Sequence, residues 1–246
     1  MNKFQKSSLL FRQVSIVLML FVVNCAIANT TERLATADSL FNKGKYTESL
    51  DIYLEILEDG KYSPSMLLKL AYIQEGLGDV SGALYYLNLY YNETSNKQAL
   101  VKLEEIAKEH QLIGYEFSDL DFFANLYHRF QYQTIGAMGA ISLFLLTMSF
   151  YSKKKKGTKP VGFVLAHVFS LVILFALINF GDGSDQGIIV DQRTYLMTGP
   201  SAGADVVEVL EQGHKVRILG REGVWVKIVW GEEEVYIRES KIKSLS

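Results

Sequence analysis

Histidine, cysteine and paired carboxylates carry most nucleophilic, acid-base and metal chemistry, and in this chain they are scattered. His110, His128, His167 and His214 lie in four different segments, with none at metal-ligand spacing from another. Cys25 is the only cysteine and falls at the end of an apolar run near the amino terminus. A product cleaved after Ala28 contains no cysteine, which excludes disulfides, thiol catalysis and cysteine metal sites from it. There is no phosphate-binding loop and no dinucleotide fingerprint. The 246 residues carry 25 basic and 27 acidic side chains, so overall charge does not point to nucleic acid. The expectation is a protein that binds rather than catalyses, with no cofactor and no metal.

His167 draws attention to the elements around it. It sits inside Pro160 to Phe180, an apolar run that follows a second one, Thr134 to Tyr151. A hydrocarbon core about 30 Å thick takes roughly 20 helical residues, so both runs are expected to span a membrane. Ionisable residues are costly there and often functional. Ser142, Thr147 and Ser170 stand where a helical hairpin can offer His167 a partner, which favours a structural role. Gly136 with Ala140, and Gly162 with Ala166, give each helix small residues at the spacing of close packing. Between the runs lies the turn 152–159, with Lys153, Lys154, Lys155, Lys156 and Lys159 and no acid. Such a turn stays cytoplasmic, so the chain on both sides of the hairpin is expected in the periplasm of an inner-membrane protein.

The amino terminus leads to the same sidedness. Lys3, Lys6 and Arg12 precede the apolar run Val14 to Val23, and Ala26-Ile27-Ala28 has the small-x-small pattern of a signal peptidase site. Residues 1–28 are read as a signal peptide. An uncleaved anchor keeps the same topology, and lipidation at Cys25 is disfavoured by Asn24 at a position that calls for a small residue.

The first exported segment repeats itself. A shift of 34 residues brings Leu34 onto Leu68, Ala37 onto Ala71, Gly44 onto Gly78 and Leu50 onto Leu84. A period of this size marks a helical repeat. The segments Leu40 to Leu50 and Ile73 to Leu84 resemble the tetratricopeptide repeat, in which a glycine ends the first helix and small residues allow the pair to pack closely. Asn96 to His110, with Leu100, Leu103, Ile106 and Ala107 on one face, is expected to cap the array. The resemblance implies a partner groove along the first helices: Leu34, Asp38, Phe41 and Asn42 in one repeat, Leu68, Tyr72, Glu75 and Gly76 in the next. It also implies no carboxylate clamp, because Leu34 and Asp38 occupy the places of its lysine and asparagine. Burial of Phe41 and Tyr72 against the capping helices is the competing expectation. The aromatic-rich stretch 114–133, from Tyr115 through Phe117, Phe122, Phe123, Tyr127, Phe130 and Tyr132, reads as a belt at the membrane surface.

Beyond Phe180 the glycine-rich stretch 181–187 reads as a linker. After it, Val206 to Leu210, His214 to Leu219, Val224 to Trp230 and Glu234 to Ile237 are short runs of β-formers separated by turn residues. With the opening segment Tyr195 to Ser201, the turn Glu211-Gln212-Gly213 and Gly223-Val224-Trp225-Val226-Lys227-Ile228, residues 188–246 resemble a bacterial SH3 domain. Val235-Tyr236-Ile237 replaces the usual Gly-Trp ahead of the last strand. Trp225 and Trp230 are expected in the core, with a ligand face as the competing expectation.

The fold class expected is thus a multidomain membrane protein. It joins an α-helical tetratricopeptide-like solenoid (29–113), a juxtamembrane segment (114–133), a two-helix transmembrane hairpin (134–151 and 160–180) and a small all-β SH3-like barrel. The order of these parts resembles BatE-like proteins, the tetratricopeptide member of the Bat aerotolerance group. That resemblance implies a periplasmic scaffold for other membrane or periplasmic proteins, associated with a von Willebrand domain complex and a MoxR-type ATPase in envelope or oxidative stress tolerance. The rival expectation is a sensor that binds peptidoglycan through its SH3 module.

Overall fold

The computed structural model describes residues 30–116, 127, 129–156, 160–180 and 185–245. The signal peptide, His128, the aromatics Phe117, Phe122 and Phe123, the turn residues 157–159 and the linker residues 181–184 lie outside them. The chain forms two compact units that meet in sequence between Asp79 and Val80.

The first unit holds α1 (30–42), α2 (Tyr46–Glu58) and α3 (Pro64–Gly76). Helix α3 starts where Ser63 accepts a hydrogen bond from the Met66 amide at 3.3 Å and Pro64 supplies a φ already suited to a first turn. Both α1 and α3 end in the same way, at glycines 34 residues apart with positive φ, 74° at Gly44 and 78° at Gly78. The Lys45 amide reaches the Leu40 carbonyl at 3.0 Å and the Asp79 amide reaches that of Gln74 at 2.9 Å, satisfying carbonyls the helix leaves open. Ala37 and Ser49 are fully buried, and the Ser49 hydroxyl donates to the Ala37 carbonyl at 3.0 Å, so α1 and α2 touch at their small residues. Tyr53, Ile56, Leu67 and Leu70 fill the interior.

The second unit begins with α4 (Val80–Thr94) and α5 (Lys97–Glu109), the latter capped by the Asn96 side chain, which accepts from the Gln98 amide at 2.9 Å. Ala99, Leu103, Ile106 and Ala107 are its buried face, close to the expected set. Helices α6 (Gln131–Lys156) and α7 (Val161–Phe180) pack side by side and are both long and apolar enough to cross a membrane. Ser142 meets His167 Nδ1 at 3.0 Å across the pair, while Thr147 bonds within its own helix to the Leu143 carbonyl.

One boundary needs correction. The lysines expected in a turn continue α6 through Lys156, because lysine is a good helix former and Lys155 bonds the Tyr151 hydroxyl one turn back at 2.7 Å. At 1.5 Å per residue the helix is about 39 Å long, so its last turns extend beyond a hydrocarbon core of about 30 Å.

An antiparallel sheet of seven strands completes the unit: β1 (Gln186–Ile189), β2 (Thr194–Met197), β3 (Val206–Leu210), β4 (Lys215–Glu222), β5 (Trp225–Trp230), β6 (Glu233–Arg238) and β7 (Ile242–Ser244). Their order is β3-β2-β6-β5-β4-β1-β7. Alternation along β5 buries Val226 and Ile228, which join Ile189, Leu196, Ile218, Val235 and Ile237 in one core. A second correction concerns residues 185–187, which do not belong to a linker. Asp185 accepts from Arg221 and from Ser244, and Gln186 opens β1, which pairs with both β4 and β7.

Candidate functional site

Among the described residues, three places stand out by their geometry. The first is on the opening helices, where Phe41, Tyr46 and Tyr72 form a triangle of edge-to-face rings with centroids 5.4, 5.7 and 5.7 Å apart. Tyr72 is 55 % exposed, Leu68 45 % and Tyr46 38 %, so much of the cluster faces solvent. Of the residues expected along a groove, Phe41 and Tyr72 are brought together here. Asp38 lies one turn before Phe41 and is occupied: it accepts from the Tyr53 hydroxyl at 2.5 Å and from Lys69 Nζ at 2.7 Å. Burial opposes the Asp38 charge, but the bonds from Lys69 and Tyr53 outweigh it and hold the carboxyl below the usual carboxylate range. Lys69 also lies 5.6 Å from the centre of the Phe41 ring. Leu34 is half-buried, and Asn42, Glu75 and Gly76 lie at the exposed ends of α1 and α3. Tyr46 and Lys69 were not foreseen, since Tyr46 reads in the sequence as a residue filling the corner after Gly44.

The second place is a seam between the β module and the segment 112–115, which precedes the hairpin. Tyr115 is not part of a membrane belt: it is 3 % exposed and its hydroxyl donates to the Gly213 carbonyl at 2.7 Å. Burial pushes its ionisation well above the ordinary tyrosine range. The Lys215 amide donates to the Ile113 carbonyl at 3.0 Å, and the Ile113 amide donates to His214 Nδ1 at 3.1 Å. Gly114 crosses this seam at φ +94°, and an added Cβ there would lie 2.0 Å from the Lys215 carbonyl oxygen. Helix α4 adds the Asn92 amide, which donates to the Leu245 carbonyl at 3.2 Å, and Tyr85, whose ring centre is 5.2 Å from Lys243 Nζ.

Accepting at Nδ1 requires a neutral imidazole, and His214 is arranged accordingly. Burial lowers its proton affinity below the ordinary histidine value, against a weaker opposing pull from Glu208 and Glu211. The edge-on Trp230 ring lies 5.4 Å away, and Glu208 is engaged by Trp230 Nε1 at 2.6 Å. An undocked histidine takes up its proton near pH 6.5, where the docked one is still neutral, so the open state binds more protons. The seam should therefore hold unchanged above about pH 6.5 and weaken progressively as pH falls below it. Amide exchange of Ile113 followed against pH checks this. The acid-dependent loss should disappear in His214→Gln, and an identical pH profile in that variant would exclude His214 as the titrating group.

The third place is a cavity of about 260 Å³ on the β module, lined by Arg193, Tyr195, Met197, Ala202, Val206, Trp225, Arg238 and Lys241. Trp225 is therefore not a core residue. It is partly exposed, with the Arg238 guanidinium 5.6 Å from its ring centre, whereas Trp230 does pack against the core. Among the described residues, no group of three His, Cys, Asp or Glu side chains is placed to hold a metal ion.

Residues 193–243 match the family of bacterial SH3 domains. The match begins just before β2 and ends in β7, so β1 and the segment 112–115 lie outside it. No curated protein matches the chain.

Proposed function

We propose that this protein is a membrane-anchored adaptor whose helical and SH3 modules both lie on the periplasmic side, where they hold partner proteins. The observation that carries this reading is the seam. The SH3 module, which follows the hairpin, is hydrogen-bonded to Ile113 and Tyr115, which precede it. Two segments in contact occupy one side of a membrane, and a pair of spans returns the chain to the side it left. The lysines at the end of α6 then mark the opposite, cytoplasmic side. Helices α1 to α3 connect directly to α4 in the chain, and the exposed triangle of Phe41, Tyr46 and Tyr72 supplies aromatic anchors of the kind that dominate interface energies.

The 34-residue repeat of Gly44 and Gly78 supports a tetratricopeptide-like arrangement, and the order of modules resembles BatE-like proteins. On that resemblance the partners belong to a Bat-type membrane complex serving envelope or oxidative stress tolerance, and the protein itself is not an enzyme. Peptidoglycan sensing through the SH3 module is a second reading, favoured by the bacterial SH3 match. Reporter fusions test the topology. Those placed after Gly114 and after Gly187 should report the periplasm, and one after Lys156 the cytoplasm. A cytoplasmic signal from the fusion after Gly187 would overturn the proposal.

A further inference from the structure

The SH3 module carries an open strand edge beside its cation-lined cavity. Strand β3 stands at one end of the sheet and is hydrogen-bonded to β2 alone among the described strands. Its first four residues are exposed, with Val206 at 50 %, Val207 at 40 % and Val209 at 44 %. An edge of this kind has a row of unpaired backbone groups and apolar side chains that native proteins usually cover or blunt with charge. Here the apolar positions are open on both faces of the strand, and its one charged side chain, Glu208, accepts from Trp230 Nε1 at 2.6 Å.

Val206 is also a wall of the cavity, so edge and cavity are continuous. The cavity is lined by two aromatic rings, Trp225 and Tyr195, and three cations, Arg193, Arg238 and Lys241. Lys241 is paired with Asp191, which also accepts from the Arg193 backbone amide. Among the described residues neither the Arg193 nor the Arg238 guanidinium has a carboxylate partner, and Arg238 rests over Trp225. Two unpaired guanidiniums beside two aromatic rings favour a carboxylate carried on a chain with some apolar body. About 260 Å³ is below the usual range for a whole small-molecule ligand, and suits a single inserted side chain.

We propose that β3 and the adjoining cavity bind an extended acidic peptide, which adds a strand to the sheet edge and places a carboxylate side chain between Arg193 and Arg238. The edge is what selects a peptide over a sugar or a lipid, because its alternating amides and carbonyls are matched by another main chain. The cations then select among peptides by charge. This inference does not depend on which side of the membrane the module occupies, so its failure would leave the topology untouched, and the fusion result would leave it untouched in turn.

The test uses the full-length protein in detergent micelles and a fluorescent peptide alternating Glu with Thr. Anisotropy should show saturable binding that weakens with salt, and replacing each Glu with Lys should reduce affinity by about tenfold or more. The double variant R193E/R238E, at two exposed positions, should reverse that preference, and R193Q/R238Q should flatten it. Methylating alternate backbone nitrogens of the Glu peptide should also abolish binding. Equal binding of the Glu and Lys peptides, or binding indifferent to both double variants, overturns the proposal. So does failure of the peptide to bind while phosphatidylglycerol vesicles or purified peptidoglycan are retained through the same arginines, and so does failure of all three probes with the protein folded.

Discussion

Gly114→Ala is expected to open the seam between the SH3 module and the segment ahead of the hairpin. The added Cβ would meet the Lys215 carbonyl oxygen at 2.0 Å, and both partners are backbone, so no flexible side chain can swing aside. A residue other than glycine at φ +94° also carries a strain of about 1 to 3 kcal/mol. Separating the strands gives up the bonds from Lys215 to Ile113 and from Ile113 to His214, each worth about 1 kcal/mol. Together these amount to about 3 to 5 kcal/mol, which corresponds to roughly a hundredfold or more faster amide exchange at Ile113 and Lys215. Amides inside the barrel, such as Ile228, should keep their protection. Unchanged exchange at Ile113 in a folded variant would contradict the seam.

Replacing Phe41 and Tyr72 together with serine should release a partner held by the first helices. Anchoring aromatics contribute about 2 kcal/mol or more each, so the pair should weaken binding by roughly a thousandfold. Tyr72 is 55 % exposed, which leaves the fold largely independent of it, and circular dichroism should show the helices retained. The partner is then to be sought among proteins that co-purify with the wild-type chain from membranes and are lost with the variant. If the same proteins remain bound to a folded double variant, the aromatic triangle is not the working surface. If the helices melt instead, Phe41 and Tyr72 are needed for packing and the groove assignment fails.

Much of this architecture can be read locally. Gly44 and Gly78 stand out because a helix ending in a left-handed residue favours glycine, and their shared spacing reveals the repeat. The two apolar helices and the lysines between them follow from composition, and β4 to β6 from their alternation and turns. The seam has no such signature. Tyr115 and Gly213 are 98 positions apart, and Ile113 and His214 are 101, so nothing near either one in sequence points to the other. A tyrosine close to a membrane span looks the same whether it faces lipid headgroups or a distant carbonyl. Strand β1 is hidden in a glycine-rich stretch for a related reason: a Cβ at Gly187 would lie 2.6 Å from Ile242 Cδ1, so the residue that makes the stretch look loose is needed for close pairing. The sequence offers Trp225 as a ligand face only as the second reading, because a tryptophan in a small barrel reads as core until the strands around it are placed.

The hydrogen bond between Asn92 and Leu245 joins residues 153 positions apart, with both membrane helices between them in the chain. During synthesis the helices ahead of α6 are complete long before the strands that cover Tyr115 exist. At about 5 to 20 residues per second the interval is roughly 10 to 30 s. Throughout it, the surface that will receive the barrel is uncovered, and closing it requires that α6 and α7 leave the segment 112–115 and the β module on one side of any membrane they enter. The seam thus acts as a record that the two helices have been placed as a pair. A chain with only one of the two helices inserted would keep Tyr115 and its neighbours exposed, in a form that a chaperone or protease can distinguish from the finished molecule.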